Sequence, residues 1–228
     1  MWLSEKNKQI AQMFSDIAPT YDLLNHLLSF NIDKKWRKEA ISYLQGKRFL
    51  DVACGSGDVA LLLRRQYKDS EIIGVDLSFE MIRIARKKSI NKKIDYILSP
   101  AERLPFKDET FDGIVIAFGF RNVVDRVSAL FEFKRVLKRS GMVVILEFNN
   151  PTNRIFGALY NFYSFTLMPF LGRMISGNSD AYRYLPDSIR RFPDVEFLKK
   201  MMEQVGFKRV VYKPLTFGVS FIHIGYKE

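Results

Sequence analysis

The feature that most constrains this chain is a glycine turn wedged between a strand-like run and a helix-like run. Phe49-Leu50-Asp51-Val52-Ala53 is short and apolar, and Gly55-Ser56-Gly57 follows it directly. Glycine lets the backbone turn tightly and approach a ligand closely. Residues 58–68 then read as a helix and Glu71 to Asp76 as a second strand. A helix capped by Ser78 is expected to run to about Lys88, its end rich in Arg and Lys as the helix dipole favours. Ile94–Leu98 and Gly113–Phe118 read as further strands. A helix from Asp125 to Lys138, stopped by Gly141, leads into a strand over Met142–Phe148. Strand–helix alternation of this kind predicts a parallel sheet covered on both faces. A helix over Asp194–Val205, closed by Gly206, precedes strands near Lys208–Tyr212 and Ser220–Tyr226. The short loop joining those two strands makes at least one of them antiparallel. The expected fold is therefore α/β: a doubly wound, mostly parallel, seven-stranded sheet with an antiparallel strand near the C-terminus.

Ahead of the turn, Ile10, Met13, Phe14 and Ile17, then Leu23, Leu24, Leu27 and Leu28, form helical stripes. Residues 1–45 are thus expected to form a helical cap, within one domain spanning 1–228. The aromatic, basic segment 151–193 breaks the alternation and is expected to cover the substrate. Its stretch Ile155–Ile175 is the most membrane-like, yet Asn161, Pro169 and Arg173 interrupt it, so no span is expected. Residues 1–20 do not resemble a signal peptide. The single cysteine, Cys54, forms no internal disulfide and points to a reducing compartment, hence a cytoplasmic protein. The two histidines, His26 and His223, sit apart and without ligand spacing, so no zinc site or other metal is expected. With 36 Lys and Arg against 25 Asp and Glu, the net charge is +11. That favours anionic partners without choosing among nucleic acid, an anionic membrane surface and an acidic substrate.

Asp76 ends the second strand, where a carboxylate holds ribose hydroxyls. With the glycine turn it points to a nucleoside cofactor at the carboxyl edge of the sheet. Gly55 to Ala60 formally fits G-x-G-x-x-A, which also suits a dinucleotide. Two acids argue against that. Asp51 lies inside the first strand, and Asp58 stands at the helix N-terminus, where it would repel a pyrophosphate. A cofactor carrying an ammonium and a sulfonium suits both, and S-adenosylmethionine is such a molecule.

Leu50 to Asp58 resembles the first motif of class I S-adenosylmethionine-dependent methyltransferases. The resemblance is narrower still. Tyr21-Asp22 with Asn25, Leu28-Ser29-Phe30, Trp36-Arg37, Ala101 to Phe106, Phe118 to Asn122, Arg135 to Lys138 and Leu146 to Phe148 resemble the ubiquinone/menaquinone biosynthesis C-methyltransferases. So do Tyr182-x-Tyr184-Leu185-x-x-Ser188 to Pro193, and Gly218 to His223 with Gly225-Tyr226-Lys227. The likeness runs from about residue 10 to 227. It implies C-methylation of a polyprenylated quinol, such as demethylmenaquinol to menaquinol, or the benzoquinol step of ubiquinone biosynthesis. It also implies that Ser56, Asp76, Leu77, Pro100, Ala101 and Ala117 contact the cofactor, with Asp51, Gly55 and Gly57 beside them. The chain departs from the family at Pro100, where a polar residue is usual, at Asn31 and Asp33, where Gly and His are common, and at Arg139-Ser140-Gly141 and Asn149-Asn150. Asn31 and Asp33 are expected on the substrate side.

Methyl transfer to an aromatic carbon needs a nucleophile held in line, and stabilisation of the phenolate that activates it. Arg121 and Asn122, just past the fourth strand, are the candidates for that role; a structural salt bridge is the other reading of Arg121. Tyr21 and Asp22 suit a flap over the cofactor. His223 is a candidate base acting through a water, or else a core histidine. The partner expected is a lipid quinol, with peripheral contact at an anionic membrane's inner face rather than with nucleic acid; the residues leave the oligomeric state open. An RNA methyltransferase fits the charge but would need an RNA-binding module, which is not visible. A nicotinamide dehydrogenase fits the glycines but not Asp51 and Asp58. A regulatory protein that binds cofactor without turnover fits the same residues.

Overall fold

The computed structural model describes residues 4–149 and 188–228. Segment 151–187, which carries most of the expected substrate cover, lies outside the described residues. Three helices lead in: α1 (Glu5–Ile17), α2 (Tyr21–Leu28) and α3 (Ile32–Ser42). The alternating core follows as β1 (Arg48–Val52), α4 (Asp58–Gln66), β2 (Glu71–Asp76), α5 (Phe79–Lys88), β3 (Asp95–Leu98) and β4 (Phe111–Ala117). After these come α6 (Arg126–Val136), β5 (Leu137–Phe148), α7 (Val195–Val205), β6 (Lys208–Leu215) and β7 (Ser220–Tyr226).

All seven strands form one sheet, ordered β3-β2-β1-β4-β5-β7-β6. The first five are parallel, and β7 runs antiparallel to both β5 and β6. Strand side chains alternate faces, and the two core layers show it. Phe49, Val115, Val144 and Ile222 pack under α3 and α4 with Trp36, Ile41 and Leu63. Leu50, Ile114, Val143 and Ile145 pack on the other face with Phe133 of α6 and Met202 of α7. Burial on both faces explains why these strands are continuously apolar rather than alternating.

The caps follow the sequence reading. Ser78 accepts the Met81 amide at 3.3 Å, and Asp194 the Phe197 amide at 2.8 Å. Gly206 closes α7 at φ 97°. One boundary differs. The helix expected to reach Lys138 stops at Val136, and β5 begins at Leu137. Gly141 is therefore not its terminator. The Ser140 amide donates to Lys227 O at 2.7 Å, and the Lys227 amide to Gly141 O at 2.9 Å. Pairing with the C-terminal segment draws residues 137–141 into the sheet, with a register shift between Phe111 and Gly113. No helix among the described residues is long and apolar enough to cross a membrane.

The strand order reverses between β1 and β4. In open α/β sheets, ligands bind outside the carboxyl ends of the strands at such a switch point.

Candidate active site

A cavity of about 670 Å³, counted out to its open mouth, occupies that switch point. Its floor is the turn after β1, with Ala53 and Gly55. One wall is the end of β2, with Asp76, Leu77 and Ser78, and residues 99–102 continue it. The opposite wall is the end of β4, with Ala117, Phe118, Gly119, Asn122 and Val123. Tyr21 and the apolar side of α1, Ile10, Ala11 and Phe14, roof it. Of the expected cofactor residues, Gly55, Asp76, Leu77, Pro100, Ala101 and Ala117 all line this space, as do Tyr21 and Asn122.

The turn explains the two glycines. Gly55 sits at φ 54° and Gly57 at φ 87°, a region that penalises L side chains. A Cβ on Gly57 would also stand 2.7 Å from the Tyr96 hydroxyl. Gly57 thus serves close packing beneath the turn and does not line the cavity. Asp76 is held by the turn it faces. Its Oδ2 accepts the Gly55 amide at 2.8 Å and its Oδ1 the Ser78 amide at 2.8 Å. Each oxygen keeps a lone pair for a ligand hydroxyl. Burial raises the Asp76 carboxyl above its ordinary value, and its backbone donors pull it back.

Asp51 and Asp58 lie under the same turn. Asp51 is buried, and its Oδ2 has no hydrogen-bond partner among the described residues. Burial pushes its carboxyl well up, with Asp76 and Asp58 adding to the rise and Arg37 opposing it. Asp51 does not line the cavity. Burial alone would raise Asp58 too, but Arg37 and Lys88 hold it below the usual carboxylate range. Lys88 offsets Asp58 at 2.6 Å, which leaves Asp76, of these three, as the carboxyl that faces the cavity.

Ser56 corrects an expectation. Its hydroxyl donates to the Asp22 carboxylate and accepts from Lys88 Nζ at 3.2 Å, so it faces the cap and not the cavity. Lys88 also reaches Asp22 at 2.7 Å and Asp58 at 2.6 Å. His26 continues the chain, 3.3 Å from Asp58 and 2.9 Å from Asp33, and Arg37 meets Asp33 at 3.3 Å. Asp33, expected on the substrate side, is thus buried in this network. Asn31, like Phe30 before it, is left-handed (φ 59°) between α2 and α3, where a family glycine is easily understood. The network clasps α2, and with it Tyr21, over the glycine turn.

Arg121 and His223 each have the surroundings of the second of their two readings, a salt bridge and a core histidine. Arg121 does not line the cavity. Its Nη1 donates to Phe118 O at 2.5 Å and lies 3.0 Å from Glu147 Oε2, with both side chains buried. A buried guanidinium needs a carboxylate more than it needs an open face. His223, on β7, pairs in register with Ile145 and Tyr212, not with any cavity residue. Its Nε2 is 2.9 Å from Val195 O, and burial pushes its pKa down to about 4. A neutral histidine in the core, bonded to a helix carbonyl, is the arrangement observed.

Sequence reasoning missed the α1 lining residues, Glu102 and Lys88. The apolar stripe of α1 was visible, but a stripe does not say what it covers. Lys88 read as a helix-end cation, and nothing in the sequence tied it to Asp22 and Asp58.

The sequence pattern of the ubiE/COQ5 methyltransferase family matches residues 2–227. The chain belongs to that family. It is accordingly an S-adenosylmethionine-dependent methyltransferase. A relative from Geobacter sulfurreducens, a ubiquinone/menaquinone biosynthesis C-methyltransferase, is 46% identical over 99% of this chain and 91% of its own. A demethylmenaquinone methyltransferase from Thermus thermophilus is 47% identical over 93% of this chain and 99% of its own. Among solved structures, an S-adenosylmethionine-dependent methyltransferase from Thermotoga maritima superposes with a TM-score of 0.71 at 20% identity, covering 96% of this chain and all of that one. At that identity the likeness speaks for the fold.

The residues present fit the family's methyl donor. Asp76 at the end of β2 suits ribose hydroxyls, the glycine turn admits close backbone approach, and the orphaned Asp51 carboxyl suits a cationic ligand. Pro100 lines the cavity without offering a side-chain acceptor.

Proposed function

We propose that this chain transfers a methyl group to a ring carbon of a polyprenylated quinol, of the demethylmenaquinol type or the related benzoquinol. One observation carries the reading: a single cavity is lined both by a carboxylate, Asp76, and by the aromatic side chains Phe14, Tyr21 and Phe118. Phe118 stacks on Phe148 with ring centroids 4.4 Å apart, and Trp36 meets Phe148 edge-on at 6.0 Å. A flat apolar ring packs well against such a wall. The names of the Geobacter and Thermus relatives point to the same substrate class.

S-adenosylmethionine, when bound, supplies an electrophilic methyl group on a sulfonium. The chain's own residues do the rest. Asp76 and the Gly55 turn fix the donor's position. Ile10, Phe14, Phe118 and Val123 exclude water from the transfer point, which strengthens every electrostatic contact there. Burial raises the Tyr21 hydroxyl above its usual value, so at neutral pH it stays protonated and serves as a hydrogen-bond donor. With the Asn122 amide it orients a ring oxygen of the quinol. Loss of that oxygen's proton makes the adjacent carbon nucleophilic. As the new carbon–carbon bond forms, the methyl–sulfur bond of the donor would break to leave a neutral thioether, and the ring proton then passes to solvent so that aromaticity returns. Arg37 and Arg121 stand close enough to pull on the Tyr21 hydroxyl electrostatically. Their positive field stabilises the phenolate without direct contact. Segment 151–193 is assigned to the isoprenoid tail, and the +11 charge to weak attachment at an anionic membrane.

The test is incubation with methyl-labelled donor and demethylmenaquinol in detergent, followed by organic extraction. Label in the quinol fraction is the expected result. Label in added structured RNA and none in the quinol would overturn the reading.

A further inference from the structure

Besides Asp76, a second carboxylate lines the cavity, Glu102. Its Oε1 accepts the Val124 amide at 3.1 Å and the Asp125 amide at 3.3 Å. Two such bonds use both lone pairs of that oxygen and anchor the carboxyl. Its Oε2 accepts nothing from the described residues. The wall beside it is apolar, with Leu77, Pro100, Ala101 and Val123. Pro100 and Ala101 carry no polar side-chain atom, and the Ser99 hydroxyl donates to Arg103 O at 2.9 Å. A ligand that covers Oε2 without offering it a donor strips water from a charged oxygen and returns nothing. The occupant of this stretch therefore has to bring an N–H or O–H.

Two hydrogen bonds place Glu102 relative to Asp76. The Ser99 amide donates to Asp76 O at 2.9 Å, so the stretch 99–102 starts beside the carboxylate that suits a ribose. The Glu102–Val124 bond closes its far end onto the loop after β4. With the ribose at Asp76, S-adenosylmethionine extends from it in two directions. Its sulfonium needs the part of the cavity with Tyr21 and Phe118, where the acceptor ring packs. The base is left the stretch 99–102, whose apolar side chains suit its flat faces. The cofactor carries N–H donors in two places, the α-ammonium beyond the sulfonium and the exocyclic amine of adenine. The amine is the one on the base's side of the ribose.

We infer that Glu102 reads the base of the methyl donor: its Oε2 accepts the exocyclic amine of adenine, while Oε1 stays on the Val124 and Asp125 amides. Glu102 is then the specificity-determining residue for an amino-purine, on a wall where Pro100 offers no acceptor. The two amides also dictate what a glutamine would do there. Only its carbonyl oxygen can accept them, so its NH2 group takes the place of Oε2. A donor then faces the donor of the base. The inference rests on the ribose being held at Asp76, and it is independent of which molecule receives the methyl group.

The test is calorimetry on the full chain with S-adenosylhomocysteine and with its purine counterpart, in which hydrogen replaces the exocyclic amine. The parent should bind the adenine ligand roughly tenfold or more tightly than the purine one. Glu102→Gln should bring the two affinities to within about threefold of each other by weakening the adenine ligand alone. Its carbonyl keeps both backbone amides, so the variant should melt close to the parent. A Glu102 that only holds the loop over 123–125 would weaken both ligands alike and leave their ratio unchanged in the variant, which would overturn the inference. A parent that binds the two ligands equally would overturn it too. Asp76→Ala tests the ribose placement separately: it should weaken both ligands by the same factor, and unchanged affinity for both would overturn the placement and the inference with it.

Discussion

Arg121 and Glu147 form a buried ion pair, 3.0 Å from Nη1 to Oε2, where the turn after β4 meets the carboxyl end of β5. The Glu147 carboxylate also accepts the Arg121 amide at 3.2 Å and the Phe148 amide at 3.1 Å. It thereby ties the turn after β4 to the end of β5. Removing one member of a buried pair strands the other charge and costs about 3–5 kcal/mol, whereas replacing both with apolar groups can be close to neutral. Arg121→Met and Glu147→Leu should each destabilise the protein in urea, and the double variant should be more stable than either. The double variant should still turn over several-fold more slowly, about two- to tenfold, because the Arg121 part of the field at Tyr21 is gone while Arg37 remains. A double variant with parental kcat would show that this field contributes nothing.

The Lys88 clasp should matter for the donor more than for the fold. Lys88 bridges Asp22 on α2 to Asp58 on α4 through charge-assisted hydrogen bonds. These groups are partly exposed, so each pair is worth about 1 kcal/mol or less. Lys88→Met should weaken S-adenosylmethionine binding by about three- to tenfold as α2 loosens over the turn. Lys88→Arg should restore part of it. Calorimetry reads this directly, and unchanged affinity in Lys88→Met would show that α2 closes without the clasp.

Asp76 should be the strongest single determinant of donor affinity. Its removal forfeits charge-assisted bonds to the ribose and leaves the Gly55 and Ser78 amides without their acceptor. Asp76→Ala should weaken binding by roughly ten- to a hundredfold. Retained affinity would place the ribose elsewhere in the cavity.

His223 gives the fold an acid sensitivity of defined sign. Burial lowers its pKa from 6.5 to about 4 in the folded chain. Between those values the unfolded chain binds a proton that the folded chain refuses. Stability is therefore fully present above pH 6.5 and falls as pH drops toward 4, by up to about 3 kcal/mol from this group. His223→Gln should flatten that part of the pH–stability curve relative to the parent. Curves of equal slope would show that His223 is not desolvated as described.

The fold was legible because its signals are local and periodic. Apolar runs ended by turn residues placed β1, β2 and β4, and Ser78 and Gly206 marked helix ends that the structure keeps. The helix end at Val136 was not legible, because the Ser140–Lys227 pairing joins residues far apart in sequence. The same split holds for the site. Gly55 announces itself through the turn after β1 and Asp76 through the end of β2, whereas Ala117 comes from the family resemblance. Arg121 does not announce itself, since only the fold brings Glu147 beneath it. Ser56 carries a polar atom in the right turn, but which way that atom faces depends on Asp22 and Lys88, and no short-range pattern records that.

The central claim is that a ring carbon of a reduced lipid quinol receives the methyl group, and the position of the label tests it most directly. The protein should be incubated with carbon-13 methyl donor and demethylmenaquinol, and in parallel with the oxidised quinone, and the products examined by mass spectrometry and NMR. The account predicts a carbon-bound labelled methyl on the ring of the quinol and no product from the quinone. A label on oxygen, or equal methylation of the quinone, would contradict it.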